Sequence, residues 1–247
     1  MAQSINDRQG HEHLRIADGD DAEAIAAIYA PFVTDTIISF ETAPPSADEM
    51  RRRIESSIER FPWLVCARGD TAAMCHCPSG SADDAALCHR SASGADDTPR
   101  AVLGYAYASA YRSREAYQWS AECSVYVDPP HQGHGIGRAL YASLFAVLAA
   151  QGYRNVYAGL ARPNPASGSF HRTCGFEPIG VYRNVGFKNG QWHDVAWMAL
   201  RLGAANTAPT PIRPFAELGR DESIERLLAT GERCLQAIDS TSRDQPT

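Results

Sequence analysis

The sequence predicts an α/β (α+β) domain built on one mostly antiparallel sheet. Three observations carry that reading. Apolar runs of strand length alternate with amphipathic helical stretches from Leu14 to Leu202. The last two strands are joined by Lys188-Asn189-Gly190-Gln191, and Asn-Gly between apolar runs is a strong hairpin signal. Ile136, Leu140, Leu144 and Leu148 recur at four-residue steps, which makes Gly135–Gln151 an amphipathic helix.

The elements follow in chain order. Met1–His13 is polar and reads as a loose tail. Helix-start chemistry appears after Leu14: Asp20 stands three residues before Glu23, and an Ala/Ile-rich run to Tyr29 is stopped by Pro31. Ser46 and Glu49 form a second capping-box pattern for a helix to about Arg60, with Met50, Ile54 and Ile58 on one face. Trp63–Ala67, Ala101–Ser109 and Ala121–Val127 read as strands. Beyond the long helix come a strand Tyr153–Ala161, a short helix Asn164–Cys174, and the hairpin strands Phe176–Gly186 and Trp192–Leu200. An Ala/Pro/Thr linker after Leu202 leads to one more helix, Glu222–Ala237. The expected organisation is a tail over 1–13, a domain over 14–202, and a linker with a C-terminal helix over 203–247.

Residues 70–99 interrupt the domain with an Ala/Ser/Asp/Gly-rich stretch that lacks helical or strand periodicity. It carries Cys75, His76, Cys77, Cys88 and His89. Structural zinc sites space paired ligands by two residues or more, and one residue separates Cys75 from Cys77. A low-complexity insertion that holds no metal is therefore the expectation.

Charge narrows the function classes. The 247 residues carry 23 Lys+Arg against 29 Asp+Glu, a net charge of −6, so the basic footprint that nucleic acid or an anionic membrane surface requires is missing. No apolar run approaches the ~20 residues of a membrane span. The polar N-terminus has no apolar signal core, and seven scattered cysteines read as free thiols in a reducing cytoplasm. The expectation is a cytoplasmic protein that handles small molecules.

The most informative stretch runs from Val125-Tyr126-Val127 through Asp128-Pro129-Pro130-His131-Gln132 to Gly133-His134-Gly135-Ile136-Gly137-Arg138. A strand ends at two prolines, and a glycine-rich loop opens directly into a helix. Glycines let the backbone approach a ligand, and the helix N-terminus offers unpaired N–H donors and the positive pole, so a diphosphate fits there. The ending Gly-Lys-Ser/Thr of a P-loop is absent, as is a ribose-binding acid at Rossmann spacing.

These residues resemble the GNAT N-acetyltransferase superfamily, whose acetyl-CoA loop pattern Gln/Arg-x-x-Gly-x-Gly/Ala is matched by Gln132, Gly135 and Gly137. Asn164, Ser167, Phe170, His171, Gly175 and Phe176 match the superfamily's last-helix pattern. The resemblance narrows to the phosphinothricin (methionine sulfone/sulfoximine) N-acetyltransferase group. It does so through Ala27-Ile28-Tyr29, Ile38-Ser39-Phe40-Glu41-Thr42, Tyr117-Gln118-Trp119, Glu122 to Val127, and Gly190 to Val195. It spans Leu14–Leu202 apart from the interruption.

The resemblance implies a mixed, mostly antiparallel sheet flanked by helices on both faces, acetyl-CoA as co-substrate, and a homodimer. Val125, Tyr126 and Val127 would offer backbone groups to the pantetheine arm. Gly133, His134, Gly135, Ile136, Gly137 and Arg138 would hold the pyrophosphate, with Asn164 on the pantetheine further along. Glu122 would be the general base and His171, where many members have Tyr, the general acid. Phe40, Arg112, Ser113, Arg114, Tyr117, Glu122, Cys123 and Ser124 would face a small amino-acid-like acceptor, with Trp63 and Trp119 as further candidate lining.

Read without the resemblance, several of these residues keep a second meaning. Glu122, between apolar neighbours, is a salt-bridge partner or a base with a raised pKa. His171 shares a helical face with Ser167, Phe170 and Cys174, as a satisfied packing histidine would. Trp192, Trp197 and Phe187 either anchor a dimer or fill the core. A second reading keeps the donor and takes a polyamine, an aminoglycoside or a protein N-terminus as acceptor, although Arg112 and Arg114 favour an anionic one, and a non-catalytic acyl-CoA-binding regulator is a further alternative.

Overall fold

The computed structural model describes residues 11–69, 101–204, 207–218 and 223–243, so Cys75, His76, Cys77, Cys88 and His89 lie outside the described residues. Strands β1 (Glu12–Ile16), β2 (Trp63–Arg68), β3 (Ala101–Ala110), β4 (Ser120–Val127), β5 (Asn155–Ala161), β6 (Glu177–Lys188) and β7 (Gln191–Arg201) form one sheet. Their order is β1-β2-β3-β4-β5-β7-β6. Every neighbouring pair is antiparallel except β4 and β5. Helices α1 (Ala22–Thr34) and α2 (Ala47–Ser57) bring Ile25, Tyr29, Met50 and Ile54 into one core with Trp63, Val65 and Tyr105. Helix α3 (Ile136–Gln151) builds the other core with Leu64, Leu103, Ala121 and Cys123, and α4 (Pro165–Thr173) adds Phe170 and His171 on that side. No helix among the described residues is long and apolar enough to cross a membrane.

Local chemistry explains where elements begin. The hairpin turn has Asn189 at φ 52° and Gly190 at φ 76°, the left-handed pair that matches strand twist. Ser46 Oγ accepts from the Glu49 amide at 3.2 Å, while the Glu49 carboxylate pairs with Arg52 and Arg53.

The N-terminal segment departs from expectation. Glu12 and His13 are not tail but the start of β1, which pairs along β2 and buries Leu14. The capping box is Asp18 with Asp21: Asp18 Oδ1 accepts from the Asp20 amide, and Asp21 Oδ2 accepts from the Asp18 amide at 2.9 Å. Arg15 on β1 grips Asp21 through two 2.6 Å bonds, an ion pair no local pattern could reveal. Pro31 does not stop α1. It sits one turn from the end, where its missing N–H removes a single bond, and its carbonyl accepts from Asp35 at 2.9 Å.

The C-terminal segment is a part of the fold and not an appendage. It contains a short helix α5 (Phe215–Leu218) and the long α6 (Ser223–Arg243), whose Ile224, Leu228 and Leu235 join the α3-side core. Ser143 Oγ donates to the Leu228 carbonyl at 2.7 Å and accepts from the Gly231 amide at 3.0 Å. The Leu14 amide donates to Glu232 at 3.1 Å. A Cβ at Gly231 would collide with the Ala139 carbonyl, so glycine is what lets α6 close onto α3. Gly231→Val should destabilise the whole domain by about 1–3 kcal/mol, the usual cost of overpacking. A fall in the single thermal midpoint checks this; a low-temperature transition confined to α6 would refute it.

Candidate active site

The site forms where two parallel strands part. β4 pairs with β5 only through Ser120–Asn155, Ala121–Val156 and Glu122–Tyr157. From Cys123 to Val127, β4 has no strand partner on that edge among the described residues, while β5 continues along β7 to Ala161. The opening leaves unpaired main-chain donors and acceptors beside Val125, Tyr126 and Val127, which an extended amide-bearing chain can satisfy by strand addition.

The glycine-rich loop stands at the open end. Gly133 and Gly135 both have φ 84°, in the left-handed region that favours glycine. Gly135 is the N-cap of α3 and gives it no side-chain cap, so the first-turn N–H groups of Ile136, Gly137 and Arg138 have no helical acceptor. Gln132 ties the loop to the strand by donating Nε2–H to the Val127 carbonyl at 3.1 Å. Gly137 has a different reason: it lies inside the helix, and a Cβ there would press the Phe170 ring at 3.3 Å. Ile136 is buried in the core, so it offers the loop its amide only, while His134 and Arg138 are exposed. Asn164 caps α4, its Oδ1 accepting from the Ser167 amide at 3.1 Å, which leaves its amide N–H groups for a ligand. The free strand edge, the uncapped helix and the left-handed glycines fit a pantetheine arm ending in a diphosphate.

Glu122, Ser124 and Tyr126 point to the α1–α2 side, Cys123 and Val125 to the α3 side. Glu122 is the last β4 residue paired with β5, and its side chain is 33% exposed. Burial pushes its carboxyl above the usual carboxylate range, and the nearby Arg112 guanidinium recovers only part of that shift. Arg112 Nη1 lies 3.5 Å from Glu122 Oε1 while the guanidinium rests over the Tyr111 ring. Glu122 is thus an ion-pair partner whose pKa burial raises.

His171 is on the other side of β4. It is 6% exposed and packed among Tyr141, Phe170 and Phe176. Its Nδ1 lies 2.8 Å from the Ser167 carbonyl, which can only accept, so Nδ1 carries the proton. Nε2 then accepts from the Tyr141 hydroxyl at 3.2 Å, and Cys123 Sγ reaches that hydroxyl at 3.5 Å. Burial lowers the His171 pKa. In this arrangement Nε2 is the acceptor of the Tyr141 hydroxyl, and burial disfavours the charged ring from which a general acid would donate. Tyr141 is the partner that sequence reading missed, because a Tyr on the apolar face of a helix looks like core.

The acceptor-side residues divide. Phe40 and Tyr117 are exposed, as are Ser113 and Arg114 in the β3–β4 loop. Ser124 stands opposite Tyr107 in the β3–β4 pairing. The Cys123 side chain is buried against Tyr141, so only its main chain is available to a ligand. Trp63 stacks on Tyr107 and Tyr105 in the core, and Trp119 Nε1 donates to the Thr210 carbonyl at 2.8 Å. Neither joins Glu122. Among the described residues no His/Cys/Asp/Glu cluster has the arrangement of a metal site.

Residues 97–197 match the family model described as an acetyltransferase (GNAT) domain. A phosphinothricin N-acetyltransferase of Streptomyces coelicolor is 38% identical over 178 residues, 72% of this chain and 89% of that protein. An L-methionine sulfoximine/L-methionine sulfone acetyltransferase of Salmonella typhimurium is 38% identical over 101 residues, 41% of this chain and 59% of that one. The crystal structure of a GNAT phosphinothricin acetyltransferase from Sinorhizobium meliloti in complex with acetyl-CoA superposes with a TM-score of 0.64. It is 34% identical, covering 81% of this chain and 93% of that chain. Kinship at this level, running through the parted strands and the glycine loop alike, makes the chain a member of the GNAT superfamily and an acetyl-CoA-dependent acetyltransferase.

Proposed function

We propose that the enzyme acetylates the α-amine of a small amino-acid analogue of the phosphinothricin or methionine sulfone/sulfoximine type, with Glu122 as general base. Acetyl-CoA supplies an acyl group already activated as a thioester. Main-chain groups at Val125, Tyr126 and Val127 and the Asn164 amide would hold the pantetheine arm. The N–H groups from Gly133 to Arg138 would hold the diphosphate, with the Arg138 guanidinium beside it.

The observation that carries the reading is Glu122 itself, a half-buried carboxylate on the last paired residue before the strands part. A raised pKa brings a carboxylate closer to the amine whose proton it must take. Arg112 favours its ionised form and aims it while leaving one carboxylate oxygen for the acceptor ammonium. Arg114 and Ser113, exposed in the same loop, supply donors for the acceptor's own acidic groups, and the Phe40 and Tyr117 rings give its apolar stem a wall. On the far side of β4 we assign His171 the positioning of Tyr141, whose hydroxyl lies against Cys123 where the strands part.

A homodimer belongs to this reading. Phe187 and Trp192, directly opposed on the β6–β7 hairpin, are 59% and 61% exposed, with Ile179, Tyr182 and Val185 exposed along the same edge strand. A second copy covering these rings removes their apolar surface from water. Light scattering should give a mass of about twice 26.8 kDa, and Trp192→Asp should return it to one chain. The free thiols of Cys66, Cys123, Cys174 and Cys234 suit a reducing cytoplasm.

The deciding experiment is thiol release from acetyl-CoA with phosphinothricin, methionine sulfone, spermidine, an aminoglycoside and an N-terminal peptide as acceptors. Turnover on the first two alone supports the proposal. Preference for the cationic amines removes it.

A further inference from the structure

Gly186 and Lys188 lie two positions apart on one side of β6, and both meet the loop that joins α1 to α2. Lys188 is 6% exposed. Its ammonium donates to the Val33 carbonyl at 2.6 Å and the Ser39 carbonyl at 2.7 Å. Val33 belongs to the last turn of α1, where carbonyls lack helical partners and the negative pole lies. A buried cation is costly unless such partners surround it, so this one holds the loop to the hairpin firmly.

The rest of the loop is tied as tightly. The Tyr29 and Ser39 hydroxyls meet at 2.6 Å, and Ser39 Oγ accepts from the Glu41 amide at 3.1 Å. Glu41 receives Arg53 at 2.7 and 3.2 Å and the Tyr29 hydroxyl at 3.1 Å. Phe40, between these anchors, is the residue with no polar tie of its own. Its exposed ring lies directly over Gly186, where a Cβ would collide with it, and 6.2 Å from the His193 ring. His193 in turn is fixed by its Nε2 bond to the Lys188 carbonyl at 2.9 Å.

We propose that Gly186 and Lys188 are positioning residues for acceptor recognition, setting where the Phe40 ring stands: Lys188 fixes the loop from beneath, and Gly186 leaves the space the ring occupies. The inference rests on the reading of Phe40 as an acceptor contact. It makes the hairpin a determinant of acceptor affinity without touching the acceptor, and it assigns the one buried lysine among the described residues a part in specificity.

The test uses Lys188→Met, which keeps the unbranched apolar stem and removes the ammonium, and Gly186→Ala, which keeps every hydrogen bond and displaces only the ring. With methionine sulfone as acceptor, each should raise the acceptor KM roughly tenfold, as lost positioning does, with kcat and the acetyl-CoA KM within about twofold. In a Phe40→Ala background neither substitution should add more than about twofold, because the ring they act through is gone. Fluorine NMR of protein labelled with para-fluorophenylalanine, its Phe40 signal assigned by Phe40→Leu, should show that signal move in both variants. If Lys188→Met fails to fold, Gly186→Ala decides alone. An unchanged acceptor KM in Gly186→Ala, when Phe40→Ala itself raises KM, overturns the inference and leaves the acceptor reading standing. If Phe40→Ala leaves KM unchanged, the acceptor reading of Phe40 falls and takes the specificity role with it, even where the fluorine signal moves.

Discussion

Replacing Glu122 by Gln is expected to lower kcat by about 10²–10⁴-fold, the usual cost of losing a general base. The acetyl-CoA affinity should stay as it was, since the amide matches the carboxylate in shape and the parted strands remain open. The deficit should shrink as pH rises and the free amine becomes abundant in solution. The same substitution should affect stability in the opposite sense. The Glu122 pKa is raised in the fold by burial, so the native state holds its proton more tightly than the unfolded chain does. Ionisation therefore destabilises the fold as pH rises from the unfolded value of 4.5 through the higher folded one. Glu122→Gln should melt above the parent enzyme at neutral pH, with the gain vanishing below about pH 4, where both states are protonated. A variant that is both inactive and less stable at neutral pH would show the carboxylate to be structural, held for its pairing with Arg112.

Gly135→Val should cost the enzyme most of its acetyl-CoA affinity. The backbone at Gly135 is left-handed, and a β-branched residue cannot hold φ 84° without strain. The loop would relax toward an ordinary φ and turn its N–H groups away from the phosphates. Charge-assisted hydrogen bonds contribute about 1.5–3 kcal/mol each, so the loss of one or two weakens binding by tenfold or more. Calorimetry with acetyl-CoA measures the effect, and unchanged affinity would move the phosphates elsewhere. Gly137→Val is the informative contrast. Its side chain would strike Phe170, so its first effect should be a lower melting temperature, with the loop amides still in place.

What the sequence determined by itself was whatever depends on a few adjacent residues. Asn189-Gly190 can form only one kind of tight turn cheaply, and the Ile136, Leu140, Leu144, Leu148 stripe admits only one face. Ser46 caps α2 through an amide three residues away, as its spacing from Glu49 predicts. The glycines at 133 and 135 announce a left-handed loop, and alternation along β4 puts Glu122 on the side away from Cys123. Resemblance then named the chemistry these parts serve.

Tertiary structure decided everything that needs a distant partner. Glu12 and His13 open a strand because β2 lies beside them, although their polar run reads as tail. Pro31 is tolerated because Val33 buries the turn beyond it, and α6 belongs to the domain because Gly231 meets Ala139 across some ninety residues of chain. The parting of β4 from β5, the Arg112 hold on Glu122, and the Tyr141 hydroxyl that meets His171 Nε2 all arise between separate elements. The reason is physical: propensity and capping act within a turn or two, while burial, and the pKa shifts it imposes, exist only once remote segments have packed together.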